Sequence, residues 1–129
     1  MSDRVLIYEK LLQIDMALGR IRRRFSGIGS AADFLDSDHG LDMLDGISMM
    51  LIAIGENLKN IDAKTQGAFL ERYDSVNWRG AKGVRDILSH HYFDLDADEI
   101  FDICQNDIPN LALVIKEMIE EYKDAGSSG

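Results

Sequence analysis

At 129 residues the chain is one domain by size, and 46% hydrophobic with 29% charged residues excludes general disorder. A single proline and the absence of any run of about 18 apolar residues exclude a low-complexity chain and a membrane span. The formal net charge of −9, from 14 basic and 23 acidic side chains, argues against broad affinity for nucleic acid, so such binding would have to come from local charge.

From Arg4 to about Phe25 the residues Leu11, Ile14, Leu18, Ile21 and Phe25 recur every three or four positions, with Val5 and Tyr8 extending the stripe backward. That period predicts a long amphipathic helix. The glycines of Ser26-Gly27-Ile28-Gly29 end it, and Ser30 is placed to cap a short turn through Phe34 and Leu35. Ser37 or Asp38 can cap a second long helix, whose stripe runs Leu41, Leu44, Ile47, Met50 or Leu51, Ile54 and Leu58. Met49 to Ile54 is apolar almost all round, which predicts burial on several sides, at the bundle centre or against another subunit. Gly46 and Gly55 inside this helix fit a close approach of another backbone, or are simply tolerated there.

Asn60 to Ala63 reads as the end of the second helix, and Thr65 to Tyr73 as a short connecting helix or turn. Asn77 then caps a central helix in which Trp78, Ala81, Val84 or Arg85, and Leu88 fall at helical spacing, so Trp78 is expected to anchor core rather than to stack on a base. Asp96 with Glu99 has the offset of a capping box for the next helix, Asp107 is placed to recap, and Pro109 fits the first turn of a final helix striped by Leu111, Val114 or Ile115, Met118, Ile119 and Tyr122. The pattern predicts an all-α, antiparallel four-helix-type bundle with short accessory helices, a single domain over 1–124 and a small-residue flexible tail over 125–129. The start has no long apolar segment before a small-residue cleavage site, so a cytoplasmic location is expected.

The lone Cys104 cannot form an internal disulfide and sits in an apolar run, where a small buried side chain is expected. Three histidines and one cysteine offer no zinc-site spacing, and the sequence suggests neither metal nor cofactor. Chemistry concentrates in Trp78 to Phe93. Asp86 and His90 are four apart and share a helix face, while Arg85 and Tyr92 are seven apart and almost in line. A guanidinium binds phosphate oxygens in a fork, and an imidazole passes protons near neutral pH. Asp86 could orient His90 as a carboxylate orients a catalytic imidazole. The competing reading is that His90 and His91 meet the last carbonyls and the negative end of the helix dipole. Two basic groups stand out, Arg20 to Arg24 and Arg79 with Lys82 and Arg85; each is either a nucleic-acid contact or a solvated face.

Arg85-x4-His90-x-Tyr92 resembles the HEPN superfamily, specifically the HepT-like toxins encoded beside minimal nucleotidyltransferase antitoxins. Ile54-Gly55-Glu56-Asn57, Trp78, Arg85-Asp86, His90 to Phe93 and Asp107-Ile108-Pro109-Asn110-Leu111 all look like that family, so the resemblance spans most of the chain. The family usually carries Asn after the arginine; Asp86 is a variant of the wider superfamily, and its added charge could either lower activity or make His90 more basic. The resemblance implies a metal-independent endoribonuclease acting at the cleft of a homodimer, with Arg85, Asp86 and His90 as catalytic residues; Arg79 and Lys82 are expected as RNA contacts on a separate ground, the net charge of −9 and their place on the same helix as the motif. It further implies that a cognate nucleotidyltransferase antitoxin silences it by transferring AMP to Tyr92. The alternative is a non-catalytic binding or scaffold protein for the nucleotidyltransferase.

Overall fold

The computed structural model describes residues 2–90 and 96–127, with side chains described to Lys123. Helix α1 spans Asp3–Phe25 and is started by Ser2, whose hydroxyl accepts from the Val5 amide. Its inward stripe is Ile7, Leu11, Ile14, Ala17, Leu18 and Ile21, while Val5 and Tyr8 sit at the margin. A 3-10 turn, Ala31–Phe34, follows. Asp33 secures it by accepting from the amides of Gly29 and Ser30, and Phe34 drops fully into the core.

Helix α2, Asp38–Thr65, is capped by Ser37 through the Gly40 amide. It runs past Ala63, where its end was expected, and stops at Gln66 and Gly67, both left-handed at φ 53° and 80°. α3, Ala68–Glu71, is one turn that buries Phe69 and Leu70. α4, Trp78–His90, starts at Asn77, whose side-chain oxygen accepts from the Gly80 amide. α5, Ala97–Asp102, is capped by Asp96 through the amides of Asp98 and Glu99. Asp107 does not recap: Ile103–Asp107 forms a π turn that carries α5 straight into α6, Ile108–Ser127. The Ile108 amide donates to Ile103 O, and Pro109 next door has no N–H to continue an ordinary ladder, which accounts for widening at this point. α6 passes through the first three residues of the stretch read as a tail.

Among the described residues the architecture is an all-α bundle, and no described helix is long and apolar enough to cross a membrane. α1 and α2 are antiparallel, with Lys64 near Asp3 at one end and Arg24 against Gly46 at the other. α6 returns along α1, so that the Arg4 guanidinium lies over the Tyr122 ring. α4 lies antiparallel against the outer side of α2, with Lys82 reaching Asp62 and Asp86 reaching Lys59. Apolar burial along α1, α2 and α6 drives the assembly. The Met49–Ile54 stretch only partly matches the expectation of burial on several sides: Leu51 and Ile54 are buried, but Met49 is 65% exposed and Ala53 is open. Leu41, expected in the stripe, is exposed as well.

Candidate functional site

α4 can press against α2 because position 55 has no side chain. A Cβ on Gly55 would lie 2.7 Å from Arg85 Cβ and 3.4 Å from the Ala81 carbonyl oxygen, so the expected close approach occurs here. At Gly46 the space is filled instead by the Arg24 side chain. Trp78 anchors the start of α4, half-buried and donating from Nε1 to the Tyr73 carbonyl, as a packing role requires.

The contact between α2 and α4 assembles four alternating charges. Arg85 Nη1 donates to Asp86 Oδ1 at 2.9 Å. Its Nε lies 3.0 Å from Glu56 Oε2, an ion-pair contact without hydrogen-bond alignment. Lys59 Nζ donates to both oxygens of Asp86, at 3.0 and 2.9 Å. All four side chains are partly exposed, so water screens the pairs and their value lies in geometry more than in stability. The hydrogen bonds from Lys59 and then Arg85 hold the Asp86 carboxyl below the usual carboxylate range. The bond to Asp86, with the charge of Glu56, holds Arg85 still more firmly in its charged form.

His90 closes α4 and is exposed. Its Nδ1 lies 2.8 Å from the main-chain carbonyl of Asp86, not from the carboxylate. The expectation that the Asp86 side chain orients His90 is therefore corrected: Asp86 touches His90 through its backbone, one turn back, while its side chain turns to Lys59 and Arg85. A carbonyl only accepts, so the contact requires a hydrogen on Nδ1, and in that tautomer of the neutral ring Nε2 is the nitrogen with a free lone pair. Five residues at about 100° each set Arg85 and His90 about 140° apart around α4, with Arg85 on the side of α2.

Arg79 is exposed on the same helix, and Lys82 is tied to Asp62 at 2.6 Å. Both border a shallow groove lined by Lys59, Asp62, Arg79, Lys82, Gly83 and Asp86. Tyr92, with His91 and Phe93, lies outside the described residues. Cys104 is buried, and burial pushes its thiol up to about 12, as expected for a packing residue. Sequence reading had no warrant for Lys59 and met Glu56 only as part of a longer resemblance; both matter through a helix crossing that no local spacing encodes.

The profile of the HepT-like family, described as ribonuclease HepT-like, matches residues 14–118. The chain belongs to the HepT-like family. Similar proteins include one from Methanocaldococcus jannaschii provisionally named an RNase, 38% identical over 73 residues that make 57% of this chain and 57% of the relative. Another, from Caldanaerobacter subterraneus subsp. tengcongensis and also provisionally named an RNase, is 33% identical over 70 residues, 54% of this chain and 59% of the relative. A third, from M. jannaschii, is named a gamma-glutamylcyclotransferase and provisional RNase; it is 31% identical over 77 residues, 60% of this chain and 33% of its own length. The aligned stretch thus spans between a third and three fifths of these relatives. No solved structure gives a significant match. In this HepT-like chain Arg85 and His90 sit on one helix, Arg85 half-buried against α2 and His90 exposed at the helix end.

Proposed function

We propose that the chain is a metal-independent endoribonuclease toxin whose Arg85 and His90 cleave RNA by transesterification. Family membership and the relatives provisionally named RNases support the reaction class. The observation that carries it is the contact of His90 Nδ1 with the Asp86 carbonyl, which leaves Nε2 as the nitrogen able to act as a base. His90 Nε2 takes the proton of a ribose 2′-OH, and the oxygen attacks the adjacent phosphorus. Arg85 stabilises the negative charge of the pentacoordinate state. The 5′-oxygen leaves with a proton from an imidazolium or from water, giving a 2′,3′-cyclic phosphate and a 5′-hydroxyl. Arg79 and Lys82 hold flanking phosphates along the groove that begins at Asp86, supplying the local positive charge that a net charge of −9 makes necessary.

The site is completed by a second copy. Arg85 and His90 point to different sides of α4, and the exposed Met49 and Ala53 leave an apolar strip of α2 open, which fits a symmetric homodimer that brings two motifs to one cleft. Silencing occurs by transfer of AMP from ATP to the Tyr92 hydroxyl, catalysed by a partner nucleotidyltransferase antitoxin with release of pyrophosphate. The added phosphate pairs with Arg85 and its nucleoside bars the cleft.

The test is cleavage of single-stranded RNA by purified protein in excess EDTA. Wild type cleaves, and His90→Ala and Arg85→Ala each lose activity while keeping the helical circular-dichroism spectrum. Equal cleavage by His90→Ala would overturn the assignment. A second reading, a non-catalytic scaffold for the nucleotidyltransferase, is favoured by one observation: Arg85 already contacts two carboxylates, Glu56 and Asp86. Wild type that binds the partner but cuts no RNA would establish it.

A further inference from the structure

The geometry points to Lys59 as a positioning residue that keeps Arg85 available to an anion by occupying the Asp86 carboxylate. The inference rests on the proposed function only in taking that anion to be an RNA phosphate.

An aspartate directly after the arginine is a hazard to a phosphate site. A carboxylate and a guanidinium frequently pair through two parallel hydrogen bonds when both oxygens are free, and such a pair consumes the edge that would grip phosphate. Here the fork does not form. Lys59 Nζ sits at 2.9 Å from Asp86 Oδ2 and 3.0 Å from Oδ1, so one oxygen belongs to lysine alone and the other is shared. Arg85 reaches Asp86 through a single bond, Nη1 to Oδ1. Its Nε faces Glu56 without hydrogen-bond alignment.

Charge follows the same logic. Arg85 and Lys59 against Asp86 and Glu56 sum to zero, whereas removal of Lys59 leaves a local charge of −1 where a phosphate must approach. Lys59 projects from α2 one turn beyond Gly55, the position that lets α4 come near. The latch therefore acts across the helix crossing, and its strength tracks how closely α4 is seated. Asn at position 86 would need no such latch, because a neutral amide oxygen holds a guanidinium more weakly than a carboxylate and adds no negative charge.

The test is a titration with inorganic phosphate, followed by the Arg85 Nε–H resonance, which is assigned by its disappearance in Arg85→Lys. Wild type shows a saturable shift. Lys59→Met is expected to weaken phosphate binding about tenfold, the scale of one charge near a protein surface. Lys59→Met with Asp86→Asn restores it, and Lys59→Gln, which keeps the stem and loses the charge, behaves as Lys59→Met. A structural role for Lys59 that does not run through Asp86 would not be rescued by Asp86→Asn. Wild-type phosphate response in Lys59→Met and Lys59→Gln, failure of the double variant to recover, or no response in wild type would each overturn the inference. Ribonuclease assays separate the two ideas: a chain that cuts no RNA yet follows this pattern loses the function and keeps the latch.

Discussion

Gly55 and Arg85 approach so closely that a Cβ at position 55 would stand 2.7 Å from Arg85 Cβ. The obstacle is the root of a side chain, with the Ala81 carbonyl behind it, and neither swings away as a flexible tip would. Alanine in a helix is worth about 1 kcal/mol over glycine, but overpacking costs about 1–3 kcal/mol. Gly55→Ala is therefore expected to destabilise the protein and move Arg85 away from Glu56. Gly19, on the exposed face of α1 with nothing near its missing Cβ, is the control: Gly19→Ala should stabilise by up to about 1 kcal/mol in urea unfolding.

Ser48 is fully buried in α2, and its hydroxyl has no partner among the described residues. Desolvating a hydroxyl without a bond costs about 1–3 kcal/mol. Ser48→Ala is expected to be neutral or stabilising by about 1 kcal/mol, read as a higher denaturation midpoint at an unchanged slope. A loss of more than about 1 kcal/mol would show that the hydroxyl is satisfied.

Tyr73 donates to Glu121, which also pairs with Arg72. Burial, then the bond to Glu121, raises the Tyr73 hydroxyl to about 12. A raised folded value gives stability that is complete below the unfolded value of about 10 and lost as pH climbs through about 12. Glu121 is lowered, chiefly by the Tyr73 hydrogen bond, so its contribution is present above the unfolded value and lost as pH falls through the folded one. Urea unfolding should show Tyr73→Phe flattening the alkaline limb and reducing the acid limb. An unchanged pH profile in Tyr73→Phe would contradict the pairing.

Co-expression with a partner nucleotidyltransferase should raise the mass of the chain by one or more AMP units on Tyr92, with loss of RNA cleavage. Tyr92→Phe should resist the modification. Peptide mass spectrometry that finds AMP on Tyr73 or Tyr122 would move the control elsewhere.

Periodicity carried the fold because burial has a period: the stripes of α1 and α6 were legible from the spacing of their apolar residues. It failed where a local choice depended on the chain nearby. Asp107 looked like a cap, yet Pro109 widens a turn that stays helical. At the site, the four-residue spacing of Asp86 and His90 identified the neighbours but not the atoms, because a side chain chooses between its own helix and a lysine 27 positions away in sequence. Lys59 and Glu56 belong to a crossing of α2 and α4, which the sequence marks only by the glycine between them, Gly55.

Cleavage of a synthetic RNA in EDTA, compared with the same oligonucleotide carrying 2′-O-methyl groups, tests the central claim most directly. Wild type is expected to cut the first, leave 2′,3′-cyclic phosphate and 5′-hydroxyl ends, and spare the second, where no 2′-OH remains for His90 to deprotonate. Cleavage of the methylated strand, or ends bearing 3′-hydroxyl and 5′-phosphate, would contradict it.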